Sequence, residues 1–298
     1  MKRLRALADK PVIGGMVKKA MSTLASNDAK HISEHFSKYL KPQVAVSEDL
    51  KHEVFRLRHN VYCEELHFED LKPNHEEFDE FDAHSIHCFI RHVTTTQMAG
   101  TVRLITSDST EQLLPIEKFC MHAIQDQSLS PKNFPRENIC EFSRLAVPAM
   151  FRKRAIDKFA GVATGAIDET TFSANELRCF PYIAICLYMA AAAMAFHTNR
   201  LHAFVMMEPR LARSLSFVGI HFKQLGEPIE YHGKRAAYYI NSDMFRKNIS
   251  SGYIKLMRSI EKELFEKPAS AWPTEYQPVQ TMISVSYTHL TLPTKRIV

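Results

Sequence analysis

The chain has 298 residues, of which 45% are hydrophobic and 24% charged, and its formal net charge is +5 at pH 7. This composition is typical of a soluble globular protein with room for one large domain or two ordinary ones. The positive charge is mild and spread along the chain, which argues against a duplex nucleic acid as partner and suits contact with an acidic protein. Six cysteines form no Cys-x-x-Cys pair, so reduced thiols in a cytoplasmic protein are expected.

The N-terminal segment "MKRLRALADKPVIGGMVKKAMSTLA" carries basic residues but no apolar core followed by a small-residue cleavage site. It therefore does not resemble a secretory signal. We predict a basic helical extension over residues 1–45. Two interpretations of it stay open, an amphipathic helix in peripheral contact with an acidic membrane surface and a solvated terminus.

A helix is predicted to begin after Ser47, a suitable N-cap residue. Its core face is formed by apolar residues at three- and four-residue spacing, which are Leu50, Val54, Leu57 and Val61. Arg58 and Tyr62 are four residues apart and share another face. The acidic stretch "EDLKPNHEEFDEFDAHS" that follows is predicted to be a loop, and the spacing of its histidines fits no compact metal site, so exposed loop histidines are expected.

Two apolar, β-branched segments, "IHCFIRHV" and "GTVRLIT", predict an antiparallel hairpin. The next predicted strand, "ICEFSRLAV" at residues 139–147, carries Glu141, Ser143 and Arg144 among apolar residues. Either a salt bridge on a half-exposed face or a catalytic site explains these charges. A regular strand places Glu141 and Arg144 on opposite faces, so we expect a β-bulge between them if both belong to one site.

The longest uncharged run, "CFPYIAICLYMAAAAMAFHTN", predicts a buried core helix, since its alanines, its early proline and the lack of basic flanking loops argue against a membrane span. "LHAFVMM" predicts a strand, and "EPRLARSLSFVG" an amphipathic helix that Gly219 ends. The order of elements predicts a mixed α/β domain over residues 46–245, with a mostly antiparallel sheet covered by helices. A helical extension over 246–284 is expected to follow, and residues 285–298 are interpreted as a translated sequencing adapter, a scar that is not native.

The motifs "RLRHNVYCEELHFE", "EFDEFD", "GTVRL" and "CEFSRLAV" occur in this order. Together they resemble the acyl-homoserine-lactone autoinducer synthases and the N-acyl amino acid synthases, and most closely the bacterial acyltransferases associated with PEP-CTERM/exosortase systems. The resemblance covers roughly residues 45–242. It implies a GNAT-like fold in which two neighbouring parallel strands, "ICEFSRLAV" and "LHAFVMM", splay apart and admit a pantetheine arm.

The same resemblance implies catalytic roles for Glu141 and Arg144. It also implies a set of substrate-binding residues, which are Arg58, Tyr62, Phe68, Asp79, Asp82, Arg103 and Ser143. An amine attacks a thioester only as the free base, so Glu141 is the candidate general base, with its pKa raised by the apolar strand around it. The acids are expected to hold an acceptor ammonium, and the arginines are expected either to hold a carboxylate or to orient the acids. A solvated acidic loop is the alternative for Asp79 and Asp82.

Coenzyme A sites in this fold normally have a Gly-rich turn after the splayed strand, where this chain reads "VPAMFRKRAI". Its basic residues Arg152, Lys153 and Arg154 suit the acidic surface of an acyl carrier protein. An acyl-phosphopantetheine on such a carrier is therefore the expected donor, with acyl-CoA as the alternative, and no bound cofactor or metal is expected. The expected reaction is N-acylation of an amino acid or similar small amine. Homoserine-lactone synthesis from S-adenosylmethionine and a carrier-binding module without turnover are the alternatives.

Overall fold

The structure is a computed structural model that describes residues 36, 38–152, 182–249 and 251–265. Most of the predicted N-terminal extension, Cys179, and residues 285–298, which were interpreted as a translated adapter, lie outside this range. Within it, no helix combines the length and the apolar character that a bilayer crossing requires. The five cysteines of the described range are all buried free thiols, as expected for a reduced protein.

A single mixed sheet forms the centre of the described structure. Its strands are β1 (Leu40–Val44), β2 (Ser85–His92), β3 (Met98–Thr106), β4 (Ile139–Ala146), β5 (His202–Met207), β6 (Lys223–Gln224), β7 (Ile229–Glu230) and β8 (Lys234–Asn241). They lie in the order β1-β2-β3-β4-β5-β8-β6, and β7 pairs with β8. The pairings are antiparallel except that of β4 with β5, which is parallel.

Helices cover this sheet. They are α1 (Glu48–His59), α2 (Pro115–Phe119), α3 (Ala149–Arg152), α4 (Ile183–His197), α5 (Pro209–Ser216), α6 (Ser242–Asn248) and α7 (Ser251–Phe265). Short 3₁₀ turns span Glu80–His84, Met121–Ala123, Gln127–Leu129, Pro131–Asn133 and Arg136–Asn138. The predicted N-cap of α1 is confirmed, because the Ser47 side chain accepts a hydrogen bond from the Leu50 N–H at 3.3 Å. Beyond α1 the chain continues as a π-helical turn, Asn60–Glu65.

The two predicted extensions both contribute to the main core where the structure describes them. Residues Leu40–Val44 form strand β1 rather than a helix, because pairing with β2 satisfies their backbone and buries Leu40 and Val44. The predicted boundary at 245/246 falls inside α6. Helix α7 then buries Tyr253, Leu256 and Ile260 in the same core as α4. The described parts of both extensions therefore belong to the same hydrophobic cluster as α4.

Strands β4 and β5 separate along their length. Their pairing comprises Ile139 with His202, Cys140 with Ala203 and Glu141 with Phe204, and it stops there although both strands continue for several residues. A wedge therefore opens between β4 and β5 beyond Glu141, and backbone groups on its two sides are available for an extended ligand. The predicted splay is confirmed, and Glu141 stands at the fork.

A β-bulge lies on β4 just after Ser143. Arg103 pairs with Ser143, whereas Thr101 pairs with Ala146, so β4 holds one residue more than β3 between these pairs. Arg144 takes a positive φ of 49°, which turns its side chain out of the regular alternation. A bulge is present as expected, but it lies at Arg144 and Leu145, directly after Ser143, and the pairing from Glu141 to Ser143 is regular.

Gly219 ends α5 as predicted, in a Schellman arrangement. Its N–H donates to the Ser216 carbonyl at 3.2 Å, and the Ile220 N–H donates to the Leu215 carbonyl at 3.0 Å. Gly219 has a φ of 91°, and a Cβ added to it would lie 2.3 Å from the Asn248 carbonyl oxygen. Only glycine fits this close approach between the end of α5 and the end of α6.

We expect Gly219→Ala to lower the free energy of unfolding by about 3 kcal/mol or more, from left-handed backbone strain together with overpacking. Gly233 is a matched control, because its φ is also 91° but an added Cβ would meet no atom within 4 Å. Gly233→Ala should cost about 1–2 kcal/mol from the backbone alone. Urea unfolding of both variants measures the difference, and equal losses would contradict the steric argument.

Candidate active site

Three arginines and four carboxylates form one ion-pair cluster beside the fork. Arg58 binds Asp82 through two nitrogens at 2.7 and 3.2 Å, and its Nε donates to Glu77 at 2.6 Å. Arg103 binds Asp79 at 2.6 and 3.0 Å and Asp82 at 2.8 Å. These acids come from the loop and 3₁₀ turn that follow α1, and Asp79 and Asp82 also cap that turn reciprocally. Charged groups that are removed from water in this way require such complete pairing.

Arg144 joins the cluster from the bulge. Its Nε donates to Glu77 at 3.1 Å, and its terminal nitrogen lies 3.1 Å from Glu69 and 3.3 Å from Asp79. The positive φ of Arg144 thus directs the side chain to the face that carries Ser143, whose hydroxyl accepts from Arg103 Nε at 2.9 Å. The bulge brings Arg103, Ser143 and Arg144 together, as expected for a shared site.

Burial divides the cluster into two layers. The side chains of Arg58 and Arg103 are at most 2% exposed, and Glu77 and Asp82 at most 6%. The side chains of Glu69, Asp79 and Arg144 are between 21% and 26% exposed. The inner residues are saturated by one another, so the three outer side chains are those that can touch a substrate. Substrate contacts of Arg58, Asp82 and Arg103 stay a prediction, and the burial of these side chains favours the alternative in which the arginines orient the acids.

Electrostatics hold the inner acids ionised. Burial raises the pKa of Asp82, but Arg58 and Arg103 outweigh that effect and keep the pKa well below its ordinary range. Burial likewise raises the pKa of Glu77, and Arg58 and Arg144 bring it below its ordinary value. Burial lowers the pKa of Arg144, whereas Glu77 and Asp79 raise it above the ordinary value of a guanidinium. Glu77, Asp82 and Arg144 therefore stay charged across the physiological range.

Glu141 differs from the other acids of the site. It is 3% exposed, and its Oε2 accepts a hydrogen bond from the Ile116 N–H at 2.8 Å. Burial raises its pKa to about 8, although the Ile116 N–H and Arg103 oppose the shift. A carboxyl group with such a pKa can accept and return a proton near neutral pH.

The two predicted aromatic residues lie at the edge of the cluster. The Tyr62 hydroxyl donates to the Leu145 carbonyl at 2.8 Å, and Arg144 lies over the Tyr62 ring at 5.6 Å. Tyr62 therefore supports the bulge and the guanidinium of Arg144. Phe68 is 37% exposed and packs beneath Arg235 at 5.8 Å. It lies next to Glu69 in the chain and can reach the outer layer of the site.

Of the predicted carrier contacts, only Arg152 falls in the described range, since Lys153 and Arg154 lie outside it. Arg152 forms an ion pair with Glu65. The same Glu65 carboxylate accepts hydrogen bonds from the Ala149 N–H at 3.0 and 3.1 Å, at the start of α3. The Glu65 carboxylate thus binds the first N–H of α3, just after the splayed strand, where the sequence lacks the glycines of a phosphate-binding turn.

Histidines take two different positions near the site. Contrary to the expectation of exposed loop histidines, His87 is buried on β2, 3.6 Å from Asp82, and burial lowers its pKa to about 3.

His59, Glu64 and His75 present ligand atoms within 4.8 Å of one another. However, the Lys72 N–H donates to His59 Nε2 at 3.1 Å, so His59 Nδ1 carries the ring proton and faces Glu64 at 3.3 Å. This arrangement is a histidine–carboxylate contact.

Sequence reasoning missed Glu69 and Glu77. Glu77 bridges Arg58 and Arg144 and is among the least exposed acids of the cluster. A charge count contained the signal, because Arg58, Arg103 and Arg144 exceed Asp79 and Asp82 by one charge, and a buried cluster needs that charge balanced. The acidic stretch between Glu69 and Asp82 is the nearest source of that negative charge.

The fold and the sequence together define a class of protein. Residues 57–161 match the family described as the acetyltransferase (GNAT) domain. The open, mostly antiparallel sheet with flanking helices and one splayed parallel pair has the architecture of that domain. The described fold is therefore that of a GNAT domain, and the predicted fold class is confirmed.

Solved structures of similar fold include two acyl-homoserine-lactone synthases. The acyl-homoserine-lactone synthase LasI aligns with a TM-score of 0.50 and 14% identity, over 71% of this chain and 97% of its own. BjaI, a CoA-dependent acyl-homoserine lactone synthase solved with MTA, aligns with a TM-score of 0.51 and 17% identity, over 73% of this chain and 89% of its own. FeeM, an N-acyl amino acid synthase from uncultured soil microbes, aligns with a TM-score of 0.46 and 12% identity, over 72% of this chain and 97% of its own. A search of curated proteins gives no significant match. At these identities the likeness establishes the fold and leaves the substrate to the site.

Proposed function

We propose that this protein is an N-acyltransferase that moves a fatty acyl group from a pantetheine thioester to the amino group of an amino acid or similar small amine. The observation that carries the proposal is the position of Glu141. This buried carboxyl group stands where β4 and β5 part, beside the outer charges of the ion cluster. The wedge takes the extended pantetheine arm, so the thioester carbonyl lies close to a base.

The acceptor is held by the outer layer. The cluster contains three guanidinium groups and four carboxylates, so it carries one net negative charge. Glu69 and Asp79 are the exposed acids, and they attract an ammonium group, while Arg144 orients a carboxylate on the same molecule. Glu141 removes a proton from the ammonium. The free amine then attacks the thioester carbonyl and forms the C–N bond, and a backbone N–H at the fork stabilises the oxyanion. Collapse of this intermediate breaks the C–S bond, and the leaving thiolate takes the remaining extra proton from the nitrogen to become a thiol.

The donor that we propose is the acyl-phosphopantetheine of an acyl carrier protein. Two observations disfavour a pyrophosphate at the turn after β4. The turn has no glycine, and the Ala149 N–H already donates to the Glu65 carboxylate. Arg152, with Lys153 and Arg154, supplies positive charge for an acidic carrier. Acyl-CoA is the competing donor. Association with a PEP-CTERM/exosortase system, a cytoplasmic location and membrane contact through the N-terminal segment are further parts of the proposal that rest on the sequence alone.

Mass spectrometry of small-molecule extracts from cells that produce the protein tests the proposal, with Glu141→Gln as the inactive comparison. We expect new long-chain N-acyl amino acids only with the unmutated protein. Acyl-homoserine lactones in those extracts would instead support the S-adenosylmethionine-dependent alternative. If supplies of several amines and of both acyl-carrier and acyl-CoA donors change no product, the enzymatic proposal is wrong and a binding module remains.

A further inference from the structure

The first N–H of helix α2 lies against the Glu141 carboxyl group. Pro115 occupies the first helical position and has no N–H, so Ile116 provides the first hydrogen-bond donor of the helix. This N–H donates to Glu141 Oε2 at 2.8 Å. The contact joins two elements 25 residues apart in the chain, and its length depends on where α2 is anchored.

Arg136 and Glu117 provide that anchor. Glu117 Oε2 accepts from the Leu114 N–H at 2.9 Å, which ties the side chain to the start of its own helix. Arg136 donates to the same carboxylate through two nitrogens, at 2.8 and 2.9 Å. It also donates to Ser107 Oγ at 2.8 Å and to the Gln112 carbonyl at 2.7 Å. The side chains of Arg136 and Glu117 are 13% and 3% exposed, so the pair is largely shielded from water.

Arg136 belongs to the 3₁₀ turn Arg136–Asn138, which runs directly into β4. The ion pair therefore connects α2 to the strand that carries Glu141. Because a bidentate, shielded guanidinium–carboxylate pair has one preferred geometry, it fixes the distance between the Ile116 N–H and Glu141.

We propose that Arg136 and Glu117 are positioning residues that set the proton affinity of Glu141 by holding α2 against it. Neither residue touches the substrate. The effect of the two residues on turnover rests on the proposed function. Their effect on the pKa of Glu141 can be measured without turnover.

Groups on every neighbouring element act on Glu141 or respond to its charge. They are Arg103 on β3, Glu117 on α2, Cys120 after α2, Cys140 and Arg144 on β4, and Tyr231 before β8. Glu117 raises the pKa of Glu141, whereas the Ile116 N–H, Arg103 and Arg144 lower it. Because Arg136 neutralises the charge of Glu117, the two partners should influence Glu141 in opposite directions.

Two variants test these opposite directions. In Arg136→Gln the charge of Glu117 is uncompensated and α2 loosens, so the pKa of Glu141 should rise by about half a unit or more. In Glu117→Gln the amide oxygen can keep the contacts with the Leu114 N–H and with one Arg136 nitrogen, so α2 stays anchored. A negative charge is lost, so the pKa should fall by a similar amount. Arg136→Lys should give an intermediate value. Lys118→Gln is the control, since Lys118 lies on the same helix in an exposed pair with Glu80 and should leave the pKa unchanged.

Titration of the ¹³C-labelled Glu141 carboxyl group by NMR, assigned with Glu141→Gln, gives the pKa in each variant, and the pH dependence of kcat/KM gives it in active enzyme. Opposite shifts in both measurements support the inference. Opposite NMR shifts without any turnover would support the positioning role and overturn the proposed reaction. Shifts of the same sign, or none, overturn the positioning role whether or not the enzyme is active, since a purely structural defect has no reason to change sign. If Arg136→Gln does not fold, Arg136→Lys and Glu117→Gln still provide the comparison.

Discussion

Glu141→Gln should abolish acyl transfer and, at the same time, stabilise the folded protein at neutral pH. Loss of a general base typically costs about 10²- to 10⁴-fold in rate, and we expect kcat/KM to fall by that amount. The amide can still accept the hydrogen bond from the Ile116 N–H. Fold and site geometry should therefore survive while proton transfer does not.

The stability effect follows from the raised pKa of Glu141, which is about 8 in the folded protein against an ordinary value of 4.5. Below pH 4.5 the carboxyl group is protonated in both the folded and the unfolded state, so its raised pKa carries no penalty there. Between pH 4.5 and 8 only the unfolded state releases the proton, so folded stability falls as pH rises, by about 1.4 kcal/mol per unit. The advantage of Glu141→Gln should therefore grow to about 3 kcal/mol at pH 7 and become constant above pH 8.

Urea unfolding at pH 5, 7 and 8.5 measures this gain, and kcat/KM of the unmutated enzyme should rise about tenfold per pH unit until it levels near pH 8. Glu137→Gln is the matched control, because Glu137 is exposed just before the same strand. It should change neither activity nor the pH dependence of stability. A stability difference that is constant from pH 5 to 8.5 would show that Glu141 does not have a raised pKa.

Arg58→Met should destabilise the fold by about 3–5 kcal/mol, because it leaves Glu77 and Asp82 as buried acids with one partner fewer each. Methionine nearly fills the space of the arginine stem, so the loss measures charge rather than a cavity. Arg56→Met on the same helix is the control. Arg56 is 55% exposed in a pair with Glu76 at 3.3 Å, and its loss should cost no more than about 1 kcal/mol.

Denaturant unfolding at pH 7 separates these outcomes, and Arg58→Lys adds a test of geometry. Lysine keeps the charge but cannot hold Asp82 with two nitrogens while it binds Glu77, so it should recover only part of the loss. A loss below about 1 kcal/mol for Arg58→Met would mean that Arg103 and Arg144 neutralise the acids by themselves.

Local patterns predicted most of the elements that position the site. The spacing of Leu50, Val54 and Leu57 after Ser47 predicted α1, and the β-branched segments predicted the β2–β3 hairpin. These predictions held because amphipathic period and capping act over a few residues. Gly219 likewise ended α5 for a reason visible in the sequence, although its contact with Asn248 was not.

Long-range contacts decided the rest. The segment before α1 forms β1 because β2 offers an edge to pair with, a condition that its own basic composition does not reveal. Glu77 and Glu69 joined the cluster because Arg58, Arg103 and Arg144 converge from three elements, and a loop sequence does not show which of its acids meets them.

The sequence by itself predicted the type of fold, and its resemblance to a known family implied a site around Glu141 and Arg144. Residue types, their order and their local periodicity are sufficient for the fold. The tertiary structure alone decided which charges are buried and which are partly exposed, and which groups lie against Arg58, Arg103 and Glu141. The physical reason is that burial and electrostatic coupling depend on distances between segments far apart in the chain, which only the packed fold defines.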